Sequence, residues 1–308
     1  MKNVKNITMS LAVVTALGLG LSGCGSSSSN PTDNNTTQNV VKNGQFIDSK
    51  VQGIEYSTPT QNGVTDENGS FKYKDGETVA FKVGGINLGS AKAKDIITPL
   101  DVLGVTSAQS TNAVNMLILL QSLDSDKNTS NGIEISSSTL ESSKTMSIDF
   151  TQNSPIDISS TLTQFGLSNS DIKSEIDAKK HFTQTILSTY ESSNDILITS
   201  YLNGKTFYTK NFVDDNGDYY YRYVILSFSS NSYTAKEYND YDGGRVWNEM
   251  GEDYVISNNS IVGNHTNAKL VKIKDDKIIV LESYGYPESW GAQVEEYWLN
   301  KPSGFPAE

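Results

Sequence analysis

Three oxygen-bearing side chains alternate in one short loop of this sequence. Asp124, Asp126 and Asn128 directly follow a long apolar run. Carboxylate and amide oxygens at alternate positions after a helix are typical of calcium loops. The spacing departs from an EF-hand, because the twelfth position of the loop is Ile135 instead of a glutamate. The loop is therefore a candidate calcium site, with a solvated turn that ends the helix as the alternative. No other cofactor is indicated.

A second group of candidate residues consists of carboxylates near the C-terminal end. Glu282, Glu295 and Glu296 lie on or beside segments that alternate like strands. Two facing carboxylic acids are the machinery of most glycoside hydrolases, so an acid pair here would support hydrolysis. The chain contains 36 acidic residues, and chance proximity is the alternative explanation.

Aromatic residues recur along the same segments. Trp247, Tyr284, Trp290 and Trp298 are the candidate ligand-binding residues. Rings on an exposed sheet face can stack on sugars, and rings inside a barrel can line an apolar pocket. Aromatic side chains are also favoured in strands for packing and cross-strand pairing, which is the alternative reading.

Imidazole and thiol groups are scarce. His181 falls in a helical pattern and is expected to be a packing residue, whereas His265 falls in a polar loop. Neither has a recognisable zinc-ligand partner or serine relay in the sequence. Cys24 is the single cysteine, so no disulfide or cysteine metal site is expected in the folded body.

The first 23 residues are typical of a secretory signal. Lys2 and Lys5 precede an apolar stretch from Met9 to Leu21, which is too short to span a bilayer. The stretch ends in Leu21-Ser22-Gly23-Cys24, which resembles the lipobox of bacterial lipoproteins. The resemblance implies cleavage before Cys24 and a lipid on that cysteine. The membrane is then a partner of the chain through its lipid anchor.

The resemblance also bears on localisation. Gly25 and Ser26 follow the cysteine, and no aspartate stands there to retain the protein at the inner membrane. An outer-membrane lipoprotein is therefore expected, with its body facing either the periplasm or the exterior. Residues 24–44 are rich in Ser, Asn and Thr and are expected to form a disordered linker. The formal net charge of −12 argues against a nucleic-acid partner.

Residues 45–192 predict a module of β-hairpins and helices. The segments 70–73 and 78–83 alternate apolar and polar residues between Asn-Gly and Asp-Gly turns, and 50–57 is strand-like. Residues 111–123 and 175–190 show helical spacing of apolar residues, and 137–144 and 159–165 are shorter helix candidates. A sandwich-like packing of the hairpins with the helices is expected.

Residues 196–308 predict an all-β domain. About eight strand-like runs are separated by Asn, Asp and Gly turns, and the run 245–257 is expected to be one strand. Such a meander must bury its apolar face by closing into a small barrel or folding into a sandwich. The fold class expected for the whole chain is therefore α+β.

The module carries a recognisable series of motifs. Phe46-Ile47-Asp48-Ser49 leads into Gly63-Val64-Thr65-Asp66 and Gly69-x-Phe71-x-Tyr73, and Ala178-x-x-His181-Phe182 follows in the last helix. The series is similar to an N-terminal module of uncharacterised bacterial surface lipoproteins and adhesin-like proteins. This resemblance implies a surface-protein context and brings no catalytic residues with it.

These features favour a lipid-anchored envelope protein with a non-enzymatic binding or adhesion role. A glycan or a small apolar molecule is the expected ligand class. An envelope hydrolase directed at glycans, using the strand-borne carboxylates, is one alternative. A structural envelope scaffold is another.

Overall fold

The chain is described by a computed structural model over residues 40–152, 156–190, 194–215, 218–239, 245–283, 292–302 and 305–306. Side chains are described for these residues except 212–215 and 219. Cys24, the lipobox and most of the expected linker lie outside the described residues, as do Tyr284 and Trp290. Within the described ranges, no helix combines the length and apolar character needed to cross a bilayer.

The N-terminal part, residues 40–190, is called the module below. Its described strands are β1 (Lys42–Phe46), β2 (Val51–Gln52), β3 (Glu55–Ser57), β4 (Asn62–Val64), β5 (Ser70–Tyr73), β6 (Thr78–Val83), β7 (Ile86–Lys92), β8 (Ile96–Ile97), β9 (Ile133–Glu134) and β10 (Ile148–Asp149). Its described helices are α1 (Pro99–Leu103), α2 (Thr111–Ser122), α3 (Ser137–Ser143), α4 (Ile158–Gln164) and α5 (Glu175–Tyr190).

The strands of the module form three small sheets, with the strand orders β5-β1-β8, β10-β7-β6-β3-β4 and β2-β9. The alternation expected for 70–73 and 78–83 is present, since Phe71 and Phe81 point into the core and lie edge to face with ring centroids 5.2 Å apart. Between β4 and β5, Asp66 accepts hydrogen bonds from the backbone of Asn68 and Ser70, which forms the turn.

Helix α2 lies at the centre of the module. Its residues Asn112 to Ser122 are buried on every face, as expected for so apolar a helix. Helix α5 packs against it, and Gln121 donates from Nε2 to both oxygens of the buried Asp48 carboxyl at 3.1 and 3.0 Å. Burial raises the pKa of Asp48 to about 8, and the hydrogen bond from Gln121 opposes that shift.

The C-terminal part contains one short helix, α6 (Thr199–Leu202), and an antiparallel sheet. Its nine described strands are β11 (Thr206–Asp215), β12 (Asp218–Phe228), β13 (Ser232–Asn239), β14 (Val246–Asp253), β15 (Val255–Ser257), β16 (Ser260–Val262), β17 (Asn267–Ile273), β18 (Lys277–Glu282) and β19 (Gln293–Trp298). The spatial order is β14-β13-β12-β11-β19-β18-β17-β16-β15. The two edge strands, β14 and β15, are therefore consecutive in the chain.

This sheet curls into a nearly closed barrel, called the barrel-like sheet below. Backbone pairing is interrupted between β14 and β15, which follow each other in the chain. Side chains cover part of that opening, because Tyr233 and the backbone of His265 both donate hydrogen bonds to the Glu252 carboxylate. The expected α+β composition, with an antiparallel sheet in the C-terminal part, is confirmed. The sandwich-like packing of the module stays a prediction.

The seam between β11 and β19 has an unusual third participant. The two strands pair directly only at Tyr208 and Trp298. Beyond that point the module segment 106–108 lies between them. Thr106 donates its N–H to the Lys210 carbonyl at 3.4 Å and accepts from the Glu296 N–H. The module therefore supplies part of the wall of the barrel-like sheet.

The outer face of the sheet shares a core with the module. Tyr223, Ile279 and Val294 belong to the same cluster of buried apolar residues as the helices of the module. The ring of Tyr221 lies on this face as well, with the Lys210 ammonium 4.1 Å from its centroid. Residues from Asn39 onward form one compact unit.

A buried ion network lies within this shared core. The Lys277 ammonium on β18 is fully buried, 2.8 Å from Asp101 of α1 and 2.5 Å from Glu296 of β19. Asp101 also pairs with Lys94 at 2.5 Å and accepts from the backbone and hydroxyl of Thr98, which closes the capping box of α1. Burial acts against charge on both sides, but the facing charges lower the pKa of Asp101 and raise that of Lys277.

Two expected strands are broken in the structure. The run 50–57 is interrupted at Gly53, which has φ +88° and lies so close to the Ile135 carbonyl that a side chain would not fit. The run 245–257 is interrupted at Tyr254: its N–H still bonds the Asn231 carbonyl at the end of the β13–β14 ladder, and from Val255 onward the chain pairs with β16. The Tyr254 ring packs edge to face on Phe228, with ring centroids 5.4 Å apart.

We expect Lys277→Met to lower the free energy of unfolding by about 3–5 kcal/mol, because it leaves the buried Glu296 without its cation and Asp101 with Lys94 alone. Denaturant titration of the purified protein measures this change. Lys269→Met, at an exposed position on the neighbouring strand, is the matched control and should change stability by less than about 0.5 kcal/mol. Adding Glu296→Leu to Lys277→Met should recover part of the loss, and a further loss would contradict the assignment.

Candidate functional site

The interior of the barrel-like sheet is apolar at one end. Phe207, Phe228 and Tyr297 contribute rings to a buried cluster there, with Phe207 and Phe228 edge to face. Leu202 of α6 and the preceding Leu197 belong to the same cluster, so the short helix covers this end of the interior. The described side chains thus form a packed core, as in other small barrels.

The interior becomes polar toward the opposite end of the same strands. Along β18, Ile278 and Val280 are part of the buried cluster, and Glu282 is the next inward residue. Antiparallel pairing places Glu295 opposite Val280. Strand alternation therefore brings Glu282 and Glu295, from neighbouring strands, into the same part of the interior.

Glu282 and Glu295 form what we call the acid pair, since their carboxyl groups are hydrogen-bonded to each other. Glu295 is 6% exposed, whereas Glu282 is half-buried and keeps part of its surface accessible. Burial raises the pKa of Glu282 well above its usual range, and the charge and hydrogen bond of Glu295 raise it further. The raised pKa favours the protonated form of Glu282, which can then donate a hydrogen bond to Glu295.

Hydroxyl groups position the acid pair. Ser107, from the segment 106–108, donates to Glu295 Oε1 at 3.0 Å, and Tyr297 donates to Glu282 Oε2 at 3.3 Å. The Arg222 charge on β12 lowers the pKa of Glu282 and so opposes the effect of Glu295. The module thus contributes a side chain to a site within the barrel-like sheet.

The surroundings of the acid pair also offer polar atoms with unused capacity. Asn211 pairs across the strands with Arg222 on the inward face. Asn211 Oδ1 and Arg222 Nε are buried, and neither has a hydrogen-bond partner among the described residues. Buried polar atoms are usually bonded, so these two are available to a bound molecule.

The third expected carboxylate, Glu296, does not join the acid pair. As the next residue along β19, it points to the opposite face and bonds Lys277. The expected set of three acids is therefore divided between two environments. Of the three, Glu282 and Glu295 share an interior, and Glu296 belongs to the ion network.

The geometry of the acid pair discriminates between chemistries. Glycosidases hold their two carboxyl groups about 5 Å apart when they retain configuration and about 6.5–9.5 Å apart when they invert it. Two hydrogen-bonded carboxyl groups are closer than either arrangement. Such a pair can share a proton, exchange it for a cation, or bind a polar group.

The four expected ligand-binding aromatics are not brought together as far as the structure describes them. Trp247 lies on edge strand β14 and is 61% exposed. Trp298 lies on β19, separated from β14 by three strands, with its ring centroid 4.6 Å from the Lys277 ammonium. Tyr284 and Trp290 lie outside the described residues. A shared aromatic surface therefore stays a prediction.

The expected calcium loop has internal partners for most of its oxygens. Asp124 accepts from the backbone of Glu134 at 3.0 Å, Asp126 accepts from Asn128 and Asn131, and Asn128 accepts from Ser130 at 2.6 Å. In the described part of the chain, no group of three acidic, histidine or cysteine residues is placed to hold a metal ion. The remaining oxygen, Asp124 Oδ2, is buried.

Sequence patterns alone indicated Glu282 and Glu295 but missed their partners. Ser107 is 188 residues away from Glu295 and has no motif around it. Arg222 could have been found from the sequence. It shares one face of β12 with the apolar residues Val224 and Leu226, and a charged residue on such a face indicates a polar site inside the sheet.

Comparison with known proteins finds limited similarity. No family model matches the chain, and no solved structure gives a significant match. Over 71 residues the chain is 35% identical to the "Putative lipoprotein AcfD homolog" of Escherichia coli K12. Over 71 residues it is 34% identical to the "Putative lipoprotein YghJ" of Escherichia coli O78:H11 strain H10407. These stretches cover 22% of this chain and 5% of each relative, so the chain spans a small part of their length.

We expect Glu282→Gln to flatten the dependence of stability on pH. A carboxyl whose pKa is raised on folding stabilises the native state less as pH rises from about 4 toward its folded pKa. The wild-type protein should therefore lose stability relative to Glu282→Gln between pH 4.5 and pH 8. Thermal unfolding across that range tests this, with the exposed Glu67→Gln as a control that keeps the wild-type slope.

Calcium binding at Asp124, Asp126 and Asn128 stays a prediction with a direct measurement. Isothermal titration of the purified body with calcium should give heat that Asp126→Asn abolishes, since the loop would lose a charged ligand. Absence of heat at millimolar calcium would exclude the site.

Proposed function

We propose that this chain is a lipid-anchored protein of the bacterial envelope, and that its barrel-like sheet binds a compact cationic ligand at the acid pair. The proposal has two parts with separate support. The anchor rests on the sequence around Cys24 and on the relatives. The ligand class rests on the interior of the barrel-like sheet.

Three features support the anchor. Leu21-Ser22-Gly23-Cys24 resembles a lipobox, the segment after it is polar, and the similar Escherichia coli proteins are named lipoproteins. Lipid on Cys24 would hold the body at a membrane, and the residues after it would give the body reach. Retention at the outer membrane, with the body in the periplasm or outside, follows from the absence of an aspartate after the cysteine.

The acid pair is the observation that carries the ligand class. A buried carboxyl and a half-buried one in contact destabilise a fold, so their presence beside apolar neighbours favours a functional role for the acid pair. Charge balance then favours a monocation. With one shared proton, the pair and Arg222 have no net charge, and a bound ammonium group that displaces the proton preserves that balance.

The alternatives are less well supported by the same geometry. A glycan-directed hydrolase would need its acids further apart than a hydrogen-bonded pair. The apolar end of the interior is occupied by the residues around Phe207 and Phe228, which leaves a small apolar ligand less suited than a cation. Glycan adhesion through Trp247 and Trp298, or a scaffolding role, would use the outer surface of the sheet.

The proposed anchor predicts that Cys24 carries a fatty acyl group. When the full chain is expressed in a bacterium fed an alkyne-bearing fatty acid, we expect label on the wild type and none on Cys24→Ser. The labelled protein should partition into detergent and the variant into the aqueous phase. Label that persists on Cys24→Ser would rule out this anchor.

The ligand class predicts proton release on binding. We expect butylammonium to bind the purified protein and to release protons as it binds, up to one per molecule, because it replaces the proton of Glu282. Calorimetry in two buffers of different ionisation enthalpy counts that proton. Butanol, which lacks the charge, is the matched ligand control, and Glu67→Gln is the matched protein control.

Two results would contradict this ligand class. The first is equal binding of butanol and butylammonium. The second is unchanged butylammonium binding by Glu295→Gln, whose amide keeps the shape of the side chain but cannot become an anion.

A further inference from the structure

A serine and a histidine meet at a cleft of the module, far in sequence from the acid pair. Ser49 Oγ lies 2.9 Å from His181 Nε2, although the two residues are 132 positions apart. The nitrogen on the other side of the ring, Nδ1, lies 3.3 Å from Thr129 Oγ1. A hydroxyl, an imidazole and a group that orients the ring are the parts of a nucleophile with its base.

The backbone at Ser49 supports a special role for this residue. Its φ of +64° is in the left-handed region, which residues other than glycine seldom occupy. Residues of this kind persist where the surrounding structure holds them, and they cluster at active sites. Here Ile47 donates to the Ile97 carbonyl on one side of the turn, and the Lys50 carbonyl accepts from Ile133 on the other.

Ser49 opens onto a space of ligand size, with His181 behind it. Ser49 lines a cleft of about 380 Å³, within the usual range for small-molecule sites. The cleft is lined largely by hydroxyl and amide groups, including Asn131, Thr185 and Ser188. Lys50 also lines it and brings a positive charge, with its ammonium held by Asn68 Oδ1 at 3.0 Å.

We propose that Ser49 and His181 form a nucleophile and base pair that hydrolyses small carboxylic esters of polar alcohols in this cleft. The hydroxyl-rich lining suits the polar alcohol through hydrogen bonds. Lys50 lines the same cleft, and its positive charge favours ligands that carry or develop negative charge. This activity is independent of the acid pair and of the ligand proposed there.

The proton of Ser49 has two acceptors at the same distance. The hydroxyl donates to the Thr129 carbonyl at 2.9 Å, and His181 Nε2 is also at 2.9 Å. Rotation about the Cβ–Oγ bond redirects the proton without movement of a heavy atom. Burial lowers the pKa of His181, so the ring is neutral and able to accept the proton at neutral pH.

The reaction then proceeds in two balanced steps. Ser49 Oγ bonds to the ester carbonyl carbon while its proton moves to His181 Nε2. The bond from that carbon to the alcohol oxygen breaks, and the alcohol leaves with the proton. Water attacks the acylated Ser49 in the same way and releases the carboxylic acid. The net change is one ester and one water converted to one acid and one alcohol.

A fluorophosphonate probe and p-nitrophenyl acetate test the pair in the purified body. We expect the probe to label Ser49, as located by peptide mass spectrometry. His181→Gln should slow the labelling by about 100-fold or more, as loss of a general base does. Ser90→Ala is the matched control, since Ser90 is an exposed serine of β7 that does not line the cleft; it should label at the wild-type rate.

Ser49→Gly keeps the test informative if His181→Gln is unstable, because glycine favours the positive φ at this position. This variant should keep the wild-type melting temperature within a few degrees and lose both labelling and ester turnover. No adduct on Ser49 in folded wild-type protein would overturn the proposal. Equal ester turnover by Ser49→Gly would overturn it as well. Glu282→Gln should leave both readouts unchanged, which separates this site from the acid pair.

Discussion

One buried ammonium group determines how the module and the barrel-like sheet fit together. Lys277 is fully buried between Asp101, at the first turn of α1, and Glu296 of β19. Removing three charges from water is expensive, and only close pairing with good hydrogen bonds compensates for that loss. Because an unpaired charge there is so unfavourable, the network tolerates few relative positions of α1 and strand β19.

Strand β19 places a carboxyl group in each of two buried environments, and the cost of burying that group is offset differently in each. Glu295 and Glu296 are consecutive, so one carboxyl enters the interior and the other enters the shared core. In the shared core the charge of Glu296 is balanced by a lysine. In the interior Glu295 faces Glu282, whose raised pKa favours its uncharged form. The first solution stabilises the fold, whereas the second leaves a group that a ligand can replace.

Much of the secondary structure could be predicted because it depends on local pattern. Helix α5 has the expected bounds, and α2 differs from its expected end by one residue, since both have apolar residues at helical spacing. The breaks at Gly53 and Tyr254 were not predictable, because each depends on a contact with a distant segment. The sequence indicated the acids of the site, but strand register was needed to separate Glu296 from the acid pair. The contact between Ser49 and His181 depends on the packing of α5 against a turn 132 residues away, and no local pattern reports it.

The segment 106–108 has a consequence for how the protein reaches its native state. It joins strands β11 and β19 while belonging to the module, and its contact between Ser107 and Glu295 spans 188 residues. Contacts of such sequence separation carry a large loop-closure entropy and raise contact order, which slows folding. The seam therefore belongs to the late events of folding, after the local hairpins of both halves have formed. Until then the inner edges of β11 and β19 are open to pairing with another chain, so the slowest step of folding is also the one most exposed to aggregation.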